Sequence, residues 1–311
     1  MIGGKKDFID LKDFTQEELQ LILDTAEDLK KKTKRGEFFT PLSGKTFGML
    51  FAKASTRTRV SFETGISQLG GTGIFLQNNE LQIGRGETIE DTGKVLERYI
   101  DGMMIRTFRH RDVTDLAAAT RIPVINGLTD YNHPCQIMAD FQTIIEHKGR
   151  LRGLRMAYIG DGNNVANTLV AGASKMGIFL TVASPKGYEC SPEIIAQADK
   201  KLIRFIQDPE EAARGADILY TDVWTSMGQE DEREKRLRDF KGYCIDSRLA
   251  GLASDDFIFL HCLPAHRGEE VSASVIDGPH SKVFDQAENR LHAQKAIMYL
   301  LMRNEPYEVN L

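Results

Sequence analysis

Short apolar runs alternate with longer polar segments along most of the chain. The runs are TFGMLF, GIFL, GMMI, IPVI, RMAYIG, FLTVA, ADILYT, GYCI and FIFLHCL. Each has the length and composition of a buried β-strand, and the segments between them have the length and spacing of helices. Regular alternation of this kind predicts parallel sheets flanked by helices, so we expect an α/β fold.

Two helix-like segments indicate how the chain is organised. TQEELQLILDTAEDLKKKTKRG begins with Thr15 in capping-box spacing to Glu18 and stops at Gly36. HPCQIMADFQTIIEHKGRLRG predicts a long helix followed by a basic connector near Gly149. We therefore expect two α/β domains, residues 1–148 and 149–285.

Composition excludes several classes of protein. The chain has 311 residues, 41% of them hydrophobic, and a net charge of −5, which gives no basic excess for nucleic acid. No apolar run approaches the ~20 residues of a membrane span, and the first residues lack the apolar region of a secretory signal. The four cysteines have no metal-ligand spacing and are typical of reduced thiols. We expect a cytoplasmic globular protein with no bound metal and no nucleic-acid or membrane partner.

Polar side chains follow six of the predicted strands. They are Ser55, Thr56, Arg57 and Thr58; Arg106; His133 to Gln136; Asp161 to Asn164; Asp222; and His261 to Pro264. Any one of them could be a helix cap or a surface ion pair. In open parallel sheets, however, ligands bind beyond the carboxyl ends of the strands. Six such positions at equivalent edges therefore predict a binding cleft between the two domains.

The stretch KASTRTRVSFE follows the strand TFGMLF closely and includes the start of a helix, which we expect near Thr56. A helix start presents free backbone N–H groups and the positive end of its dipole. Serine and threonine hydroxyls add donors, and Arg57 adds a planar fork suited to phosphate. Arg59 lies further along the turn and fits a structural role. The stretch therefore predicts a phosphate site.

The turn GDGNN is similar to a dinucleotide-binding turn, but two features disfavour that interpretation. Val165 occupies the position of the third glycine, and no acid follows the next strand to hold a ribose hydroxyl. Asn164, at the start of the following helix, is better suited to a carboxylate or an amino acid backbone.

Eight motifs occur in order over most of the chain. They are STRTRVSFE, LQIGRGE, MIRTF, HPCQ, GDGNN, DVWTSMG, HCLP and AENR. The ordered set resembles the aspartate/ornithine carbamoyltransferase family, and SMG and HCLP are most similar to its members that act on ornithine. The resemblance implies carbamoyl transfer from carbamoyl phosphate to the side-chain amine of L-ornithine, which gives citrulline and phosphate.

The resemblance also implies an architecture. The first domain would bind carbamoyl phosphate and be completed by a C-terminal helix within 286–311, and the second would bind ornithine. The active site would lie in the interdomain cleft and use no metal or organic cofactor. The family forms homotrimers or multiples of trimers, in which Gln82 of LQIGRGE would act on the site of a neighbouring subunit.

Individual roles follow from the same resemblance. Carbamoyl phosphate would be bound by Ser55, Thr56, Arg57, Thr58, Gln82, Arg106, His133, Pro134, Cys135, Gln136, Cys262, Leu263 and Arg290. Ornithine would be bound by Asn164, Asp222, Ser226 and Met227. Arg106 and His133 would face the carbonyl oxygen during catalysis. Cys262 and Asp222 would orient the amine and accept its proton, with the phosphate of the substrate as the alternative base.

Two rival functions remain open at this point. One is a sister carbamoyltransferase that acts on putrescine or aspartate, which the SMG motif disfavours. The other is a non-catalytic binding protein on the same scaffold. The presence of Arg57, Arg106, His133 and Cys262 together argues against that second rival.

Overall fold

The structure is a computed structural model and describes residues 5–77, 86–225 and 230–303. Contacts group the chain into two units, Met1–Gln142 with Glu288–Leu311, and Thr143–Ala287. Each unit contains its own parallel sheet with helices between the strands, so the predicted two-domain α/β fold is confirmed. The predicted domain limits at residues 148 and 285 stay a prediction.

The first unit is built on a four-stranded parallel sheet with the order β2-β1-β3-β4. Its elements are a 3-10 helix (Leu11–Asp13), α1 (Gln16–Lys34), β1 (Thr46–Phe51), α2 (Thr56–Gln68), β2 (Thr72–Gln77), α3 (Ile89–Leu96), β3 (Gly102–Arg106), α4 (His110–Ala119), β4 (Val124–Leu128) and α5 (Pro134–Lys148), which continues into the second unit. Strands β3 and β4 are buried along their whole length, which explains their continuous apolar runs.

The second unit is built on a five-stranded parallel sheet with the order β7-β6-β5-β8-β9. Its elements are β5 (Arg155–Ile159), α6 (Asn164–Met176), β6 (Phe179–Ala183), α7 (Pro192–Gln197), β7 (Ile203–Ile206), α8 (Pro209–Ala213), β8 (Ile218–Thr221), a 3-10 helix (Glu230–Glu232), α9 (Arg233–Asp239), α10 (Ser247–Ala250), β9 (Ile258–His261), α11 (Ala273–Ile276) and α12 (Val283–Met302), which continues into the first unit.

Helix α12 is an element of the core. It carries the buried polar residues Asn289, Arg290 and Gln294 among apolar ones. Buried polar groups of this kind need hydrogen-bond partners, so this helix can pack only against residues that supply them. Among the described residues, no helix combines the length and the apolar character that crossing a bilayer requires.

The two helix starts that the sequence predicts are confirmed. The Thr15 hydroxyl accepts from Glu18 N at 3.2 Å, and the Glu18 carboxylate accepts from Thr15 N at 2.9 Å, which completes the capping box of α1. Helix α2 begins at Thr56 with Ser55 as its N-cap. Both helices begin where a hydroxyl on a short side chain can accept a hydrogen bond from a free backbone N–H group of the first turn.

Three strand predictions need correction. GYCI is not a strand, because residues 242–245 form a turn with a single bridge from Ile245 to Val271. Its apolar side chains are buried because they pack into the core of the second unit, although no strand among the described residues pairs with the segment along its length. Strand β7 was missed because it lies at a sheet edge and includes the exposed Arg204. IPVI begins pairing only at Val124, after Pro123, which has no N–H to donate.

Gly162, in the GDGNN turn, lies where another backbone segment passes close to it. Its N–H donates to the Tyr188 carbonyl at 2.8 Å. A Cβ at this position would lie 2.2 Å from Cys190 N and 2.3 Å from the Glu189 carbonyl carbon. Both atoms belong to the backbone, so no rotamer change could relieve the overlap. Close backbone packing therefore explains this glycine without a dinucleotide.

Gly162→Ala is expected to destabilise the second unit by about 3 kcal/mol or more, because the two backbone segments must separate. The thermal midpoint, followed by circular dichroism, measures the effect. Gly251→Ala is the matched control, since its Cβ would lie no closer than 3.2 Å to Ser247 O. A Gly162→Ala midpoint within about 2 °C of the wild-type value would contradict the packing argument.

Candidate active site

The carboxyl ends of β1 and β3 lie side by side in the first unit, because Phe51 and Arg106 are register partners. The chain leaving β1 stays in contact with that end of β3. Ala52 N and Lys53 N donate to the Arg106 carbonyl at 2.9 and 3.3 Å. The loop that leads to α2 and the side chain of Arg106 are therefore placed at the same edge of the sheet.

The start of α2 is open to an incoming anion. The Ser55 hydroxyl accepts from Thr58 N at 3.3 Å, and the first turn contains no acidic residue. Thr56 and Arg57 are exposed. A cavity of about 820 Å³ adjoins this turn and includes Ser55, Thr56 and Phe75 in its lining. The positive end of the helix thus faces accessible space, and Arg57 next to it is exposed.

Thr58 joins two arginines that are distant in sequence. Its side chain is 1% exposed. Its hydroxyl oxygen lies 3.3 Å from Arg106 Nη1, 3.4 Å from Arg290 Nη2 and 3.1 Å from Ser55 Oγ. Arginine keeps its charge at any physiological pH. Two positive charges, one from β3 and one from α12, are therefore held beside the start of α2.

His133 lies in the same positive environment. Burial lowers its pKa well below the ordinary value, and the charges of Arg290, Arg106, Arg57 and Lys53 act in the same direction. The imidazole is therefore neutral at neutral pH. A neutral ring can donate a hydrogen bond to a carbonyl oxygen from one nitrogen and accept at the other, without adding a charge.

The HPCQ motif leads into α5, and its side chains are placed differently. Gln136 Oε1 accepts from Arg290 Nη1 at 2.7 Å, and Gln136 Nε2 donates to Asp140 at 2.8 Å. Cys135 is fully buried, donates to the Asn126 carbonyl at 3.3 Å, and has its pKa raised to about 12 by burial. Gln136 thus belongs to the arginine network, whereas the Cys135 thiol is a neutral group of the core.

A second set of residues lies at the carboxyl edge of the sheet in the second unit. Thr221 of β8 and His261 of β9 are register partners, so the residues that follow them are neighbours. Cys262 Sγ donates to Asp222 Oδ1 at 3.0 Å. Asn163 Nδ2 donates to Asp222 Oδ2 at 2.8 Å. The carboxylate of Asp222 is therefore held in a fixed orientation beside the Cys262 thiol.

The backbone next to Cys262 is also fixed. Leu263 has φ +58°, and its N–H donates to His261 Nδ1 at 2.9 Å. Because Nδ1 accepts, the ring proton is on Nε2, which faces Glu270 Oε1 at 3.2 Å. A buried carboxylate and a buried imidazole thus support the left-handed backbone at Leu263. Asn164, the first residue of α6, is half-buried beside its capping neighbour Asn163.

Three residues that contact these sets have no role in the predictions made from the sequence. Lys53, paired with Asp130 at 3.1 Å, helps to depress the pKa of His133. Asn163 contacts Asp222, and its position as the cap of α6 was the available signal. Gln294 contacts Arg290, and its spacing of one helical turn was the signal. Gln82, Ser226 and Met227 lie outside the described residues.

Two groups in the described ranges bring potential metal ligands within 4.8 Å of one another. They are Asp222, His261 and Cys262, and His266, Glu269 and Glu270. Both ring nitrogens of His261 already take part in hydrogen bonds. Glu269 is paired with Arg233. These contacts favour hydrogen-bonding and supporting roles for both groups.

Two segments of the chain match known domains, and they carry the two residue sets except that Arg290 of the first set lies in the second segment. The carbamoyl-P binding domain of aspartate/ornithine carbamoyltransferase matches residues 6–146. The Asp/Orn binding domain of the same family matches residues 152–301. Together the two matches cover most of the chain.

Similarity to individual proteins extends over nearly the full length. The chain is 57% identical to the ornithine carbamoyltransferase of Caldicellulosiruptor saccharolyticus over 297 residues, which are 94% of this chain and 96% of the relative. It is 54% identical to that of Thermococcus kodakarensis over 303 residues, 96% of each chain. The solved structure of ornithine carbamoyltransferase from Pyrococcus furiosus has a TM-score of 0.94 and 48% identity, covering 97% of this chain and 99% of that one. With both domains matched in order and relatives this similar from end to end, the chain belongs to the aspartate/ornithine carbamoyltransferase family.

Proposed function

We propose that this protein is an ornithine carbamoyltransferase, which transfers the carbamoyl group of carbamoyl phosphate to the side-chain amine of L-ornithine. The products are L-citrulline and phosphate. The observation that carries the proposal is the meeting of Arg106 and Arg290 at Thr58, beside the start of α2. Relatives that bear this name are more than half identical to the chain.

The first step is binding of the phosphate group. Backbone N–H groups of the first turn of α2 and the hydroxyls of Ser55, Thr56 and Thr58 supply donors. The guanidinium groups of Arg57, Arg106 and Arg290 supply positive charge. A dianion gains most from such a site, because charge-assisted hydrogen bonds are about twice as strong as neutral ones. The phosphate is also the leaving group, so the same charges stabilise it as it departs.

The second step is polarisation of the carbamoyl carbonyl. As the amine nitrogen bonds to the carbonyl carbon, negative charge develops on the oxygen. Arg106, Thr58 and the neutral ring of His133 would donate to that oxygen. Removal of one donor from such a site costs roughly 3 kcal/mol of transition-state stabilisation. Gln136 and the backbone carbonyls of Cys262 and Leu263 would orient the carbamoyl NH2.

The third step is activation of the amine. With a lysine-like pKa of ~10.4, deprotonation at pH 7 costs about 4.6 kcal/mol, and removal from water lowers that cost. Asp222 and Cys262, 3.0 Å apart, would orient the amine. Its proton goes to Asp222 or to the departing phosphate, and the bond between the carbonyl carbon and the phosphate oxygen breaks. Asn164, with Ser226 and Met227, would hold the α-amino and α-carboxylate groups.

The proposal extends to assembly and location. By family resemblance the protein is a homotrimer or a multiple of trimers, in which Gln82 contributes to the site of a neighbouring subunit. We place it in the cytoplasm, with no nucleic-acid or membrane partner. Carbamoyl phosphate and ornithine are its substrates, and the chemistry above uses side chains and backbone groups alone.

The proposed function is tested by comparing ornithine, putrescine and aspartate as acceptors with carbamoyl phosphate. Ornithine is expected to be used with a kcat/KM at least about a hundredfold above the others, because only ornithine offers both α-substituents and a terminal amine. Phosphate release and product formation measure the rates. Equal use of putrescine would point to the sister activity, and folded protein without turnover would point to a binding protein.

Arg57→Ala is expected to lower kcat/KM for carbamoyl phosphate by about a hundredfold or more, because a charged donor to the phosphate is lost. The fold should be retained, since Arg57 is exposed. Arg111→Ala is the matched control, as Arg111 is also exposed and lies near the start of another helix, where it pairs with Asp115. Near-normal activity of Arg57→Ala would count against the phosphate assignment.

Asp222→Asn is expected to raise the KM for ornithine by about tenfold or more, because the carboxylate that faces Cys262 and Asn163 becomes a neutral amide. The KM for carbamoyl phosphate should change much less. Steady-state kinetics with each substrate varied in turn separates the two effects. Asp199→Asn, at an exposed position in the same unit, controls for the loss of one negative charge. An unchanged ornithine KM would remove Asp222 from the ornithine site.

A further inference from the structure

Gln294 is fully buried on α12, one helical turn after Arg290. Both ends of its amide are satisfied when its oxygen accepts from Arg290 Nε at 3.2 Å and from Arg290 Nη2 at 2.8 Å. In the same orientation its NH2 donates to the Arg290 carbonyl at 3.3 Å and to Ser61 Oγ at 2.5 Å. An amide oxygen can accept two hydrogen bonds and an NH2 can donate two, so the side chain is used to capacity.

Ser61 connects this amide to the helix that begins the anion site. Its hydroxyl donates to the Arg57 carbonyl at 2.6 Å, within the first turns of α2. Gln294 therefore joins two parts of the proposed phosphate site that come from opposite ends of the chain. One part is the guanidinium of Arg290, and the other is the backbone that carries Arg57.

The acceptors around the Arg290 guanidinium include three uncharged oxygens. They belong to Gln136 at 2.7 Å from Nη1, to Thr58 at 3.4 Å from Nη2, and to Gln294. Neutral oxygens fix the plane of a guanidinium without offsetting its charge. A carboxylate in the place of Gln294 would still accept from Arg290 Nε and Nη2, and more strongly, but it could not donate to the Arg290 carbonyl or to Ser61. It would also place a negative charge next to a cation that has to attract a phosphate.

We propose that Gln294 is a positioning residue for carbamoyl phosphate binding. It holds Arg290 in one orientation, couples it through Ser61 to the start of α2, and leaves the positive charge of Arg290 available to the anion. The residue acts through Arg290 and does not touch the substrate. The inference rests on the proposed function for the identity of that anion.

The test compares Gln294→Glu, Gln294→Met and the wild type as full-length assembled protein. The dissociation constant of inorganic phosphate is measured by calorimetry, and kcat and KM are measured for each substrate. Gln294→Glu is expected to weaken phosphate binding and raise the KM for carbamoyl phosphate by about tenfold, through the added negative charge and the loss of the two N–H donors. Gln294→Met is expected to lower kcat/KM for carbamoyl phosphate by about threefold to tenfold, through lost orientation. The KM for ornithine should stay within about twofold in both.

Gln142→Met is the matched control. Gln142 is also a buried glutamine on a helix, and the described residues offer its amide no hydrogen-bond partner. Its phosphate affinity and kinetics should equal those of the wild type, which separates the loss of any buried amide from the loss of this one. Thermal midpoints of all three variants identify effects that come from unfolding.

Phosphate affinities within about twofold of the wild type in both folded Gln294 variants would overturn the inference. So would equal losses in Gln142→Met, or a loss in Gln294→Met larger than that in Gln294→Glu. The proposed function fails separately, if the wild type binds phosphate but forms no citrulline. In that case the phosphate affinities still decide the role of Gln294.

Discussion

The gathering of like charges at the start of α2 is the constraint on which the first unit depends. Arg106 and Arg290 meet at Thr58, and the charges of Arg57 and Lys53 are close enough to depress the pKa of His133. Such an arrangement is unfavourable without an anion, because like charges repel and burial removes their hydration. It persists because rigid elements hold each group by hydrogen bonds to oxygens such as those of Thr58, Gln136 and Gln294. Under the proposed function, such a site would be ready for the phosphate group before the substrate binds.

In the second unit, the Asp222 carboxylate is held in a fixed orientation close to the Cys262 thiol. The sheet register positions Asp222 next to Cys262, because each of them directly follows one of the paired residues Thr221 and His261. Asn163 and the backbone N–H of Val223 then fix the two oxygens of Asp222. A carboxylate held in this way can orient a cationic substrate group without moving, which lowers the entropy lost on binding.

Much of the fold could be predicted from the sequence, because the signals are local. Period, length and capping residues specified α1 and the start of α2, and apolar runs marked most strands. The failures have physical causes. GYCI is apolar because Tyr243 and Ile245 pack into the core of the second unit, and a core contact leaves the same pattern as a buried strand. Strand β7 carries Arg204 because an edge strand has a solvated face.

By itself the sequence determined the family and which residue types could bind a phosphate and an amine. A helix start rich in hydroxyls and arginine attracts anions in any fold, and the eight ordered motifs are specific as a set. Only the tertiary structure decided that Gln136 faces Arg290, that Cys135 is turned into the core, and that Asn163 donates to Asp222. It also decided that Gln294 supports Arg290. The reason is that motif spacing fixes positions along the chain, whereas hydrogen-bond partners depend on side-chain directions set by packing between distant segments.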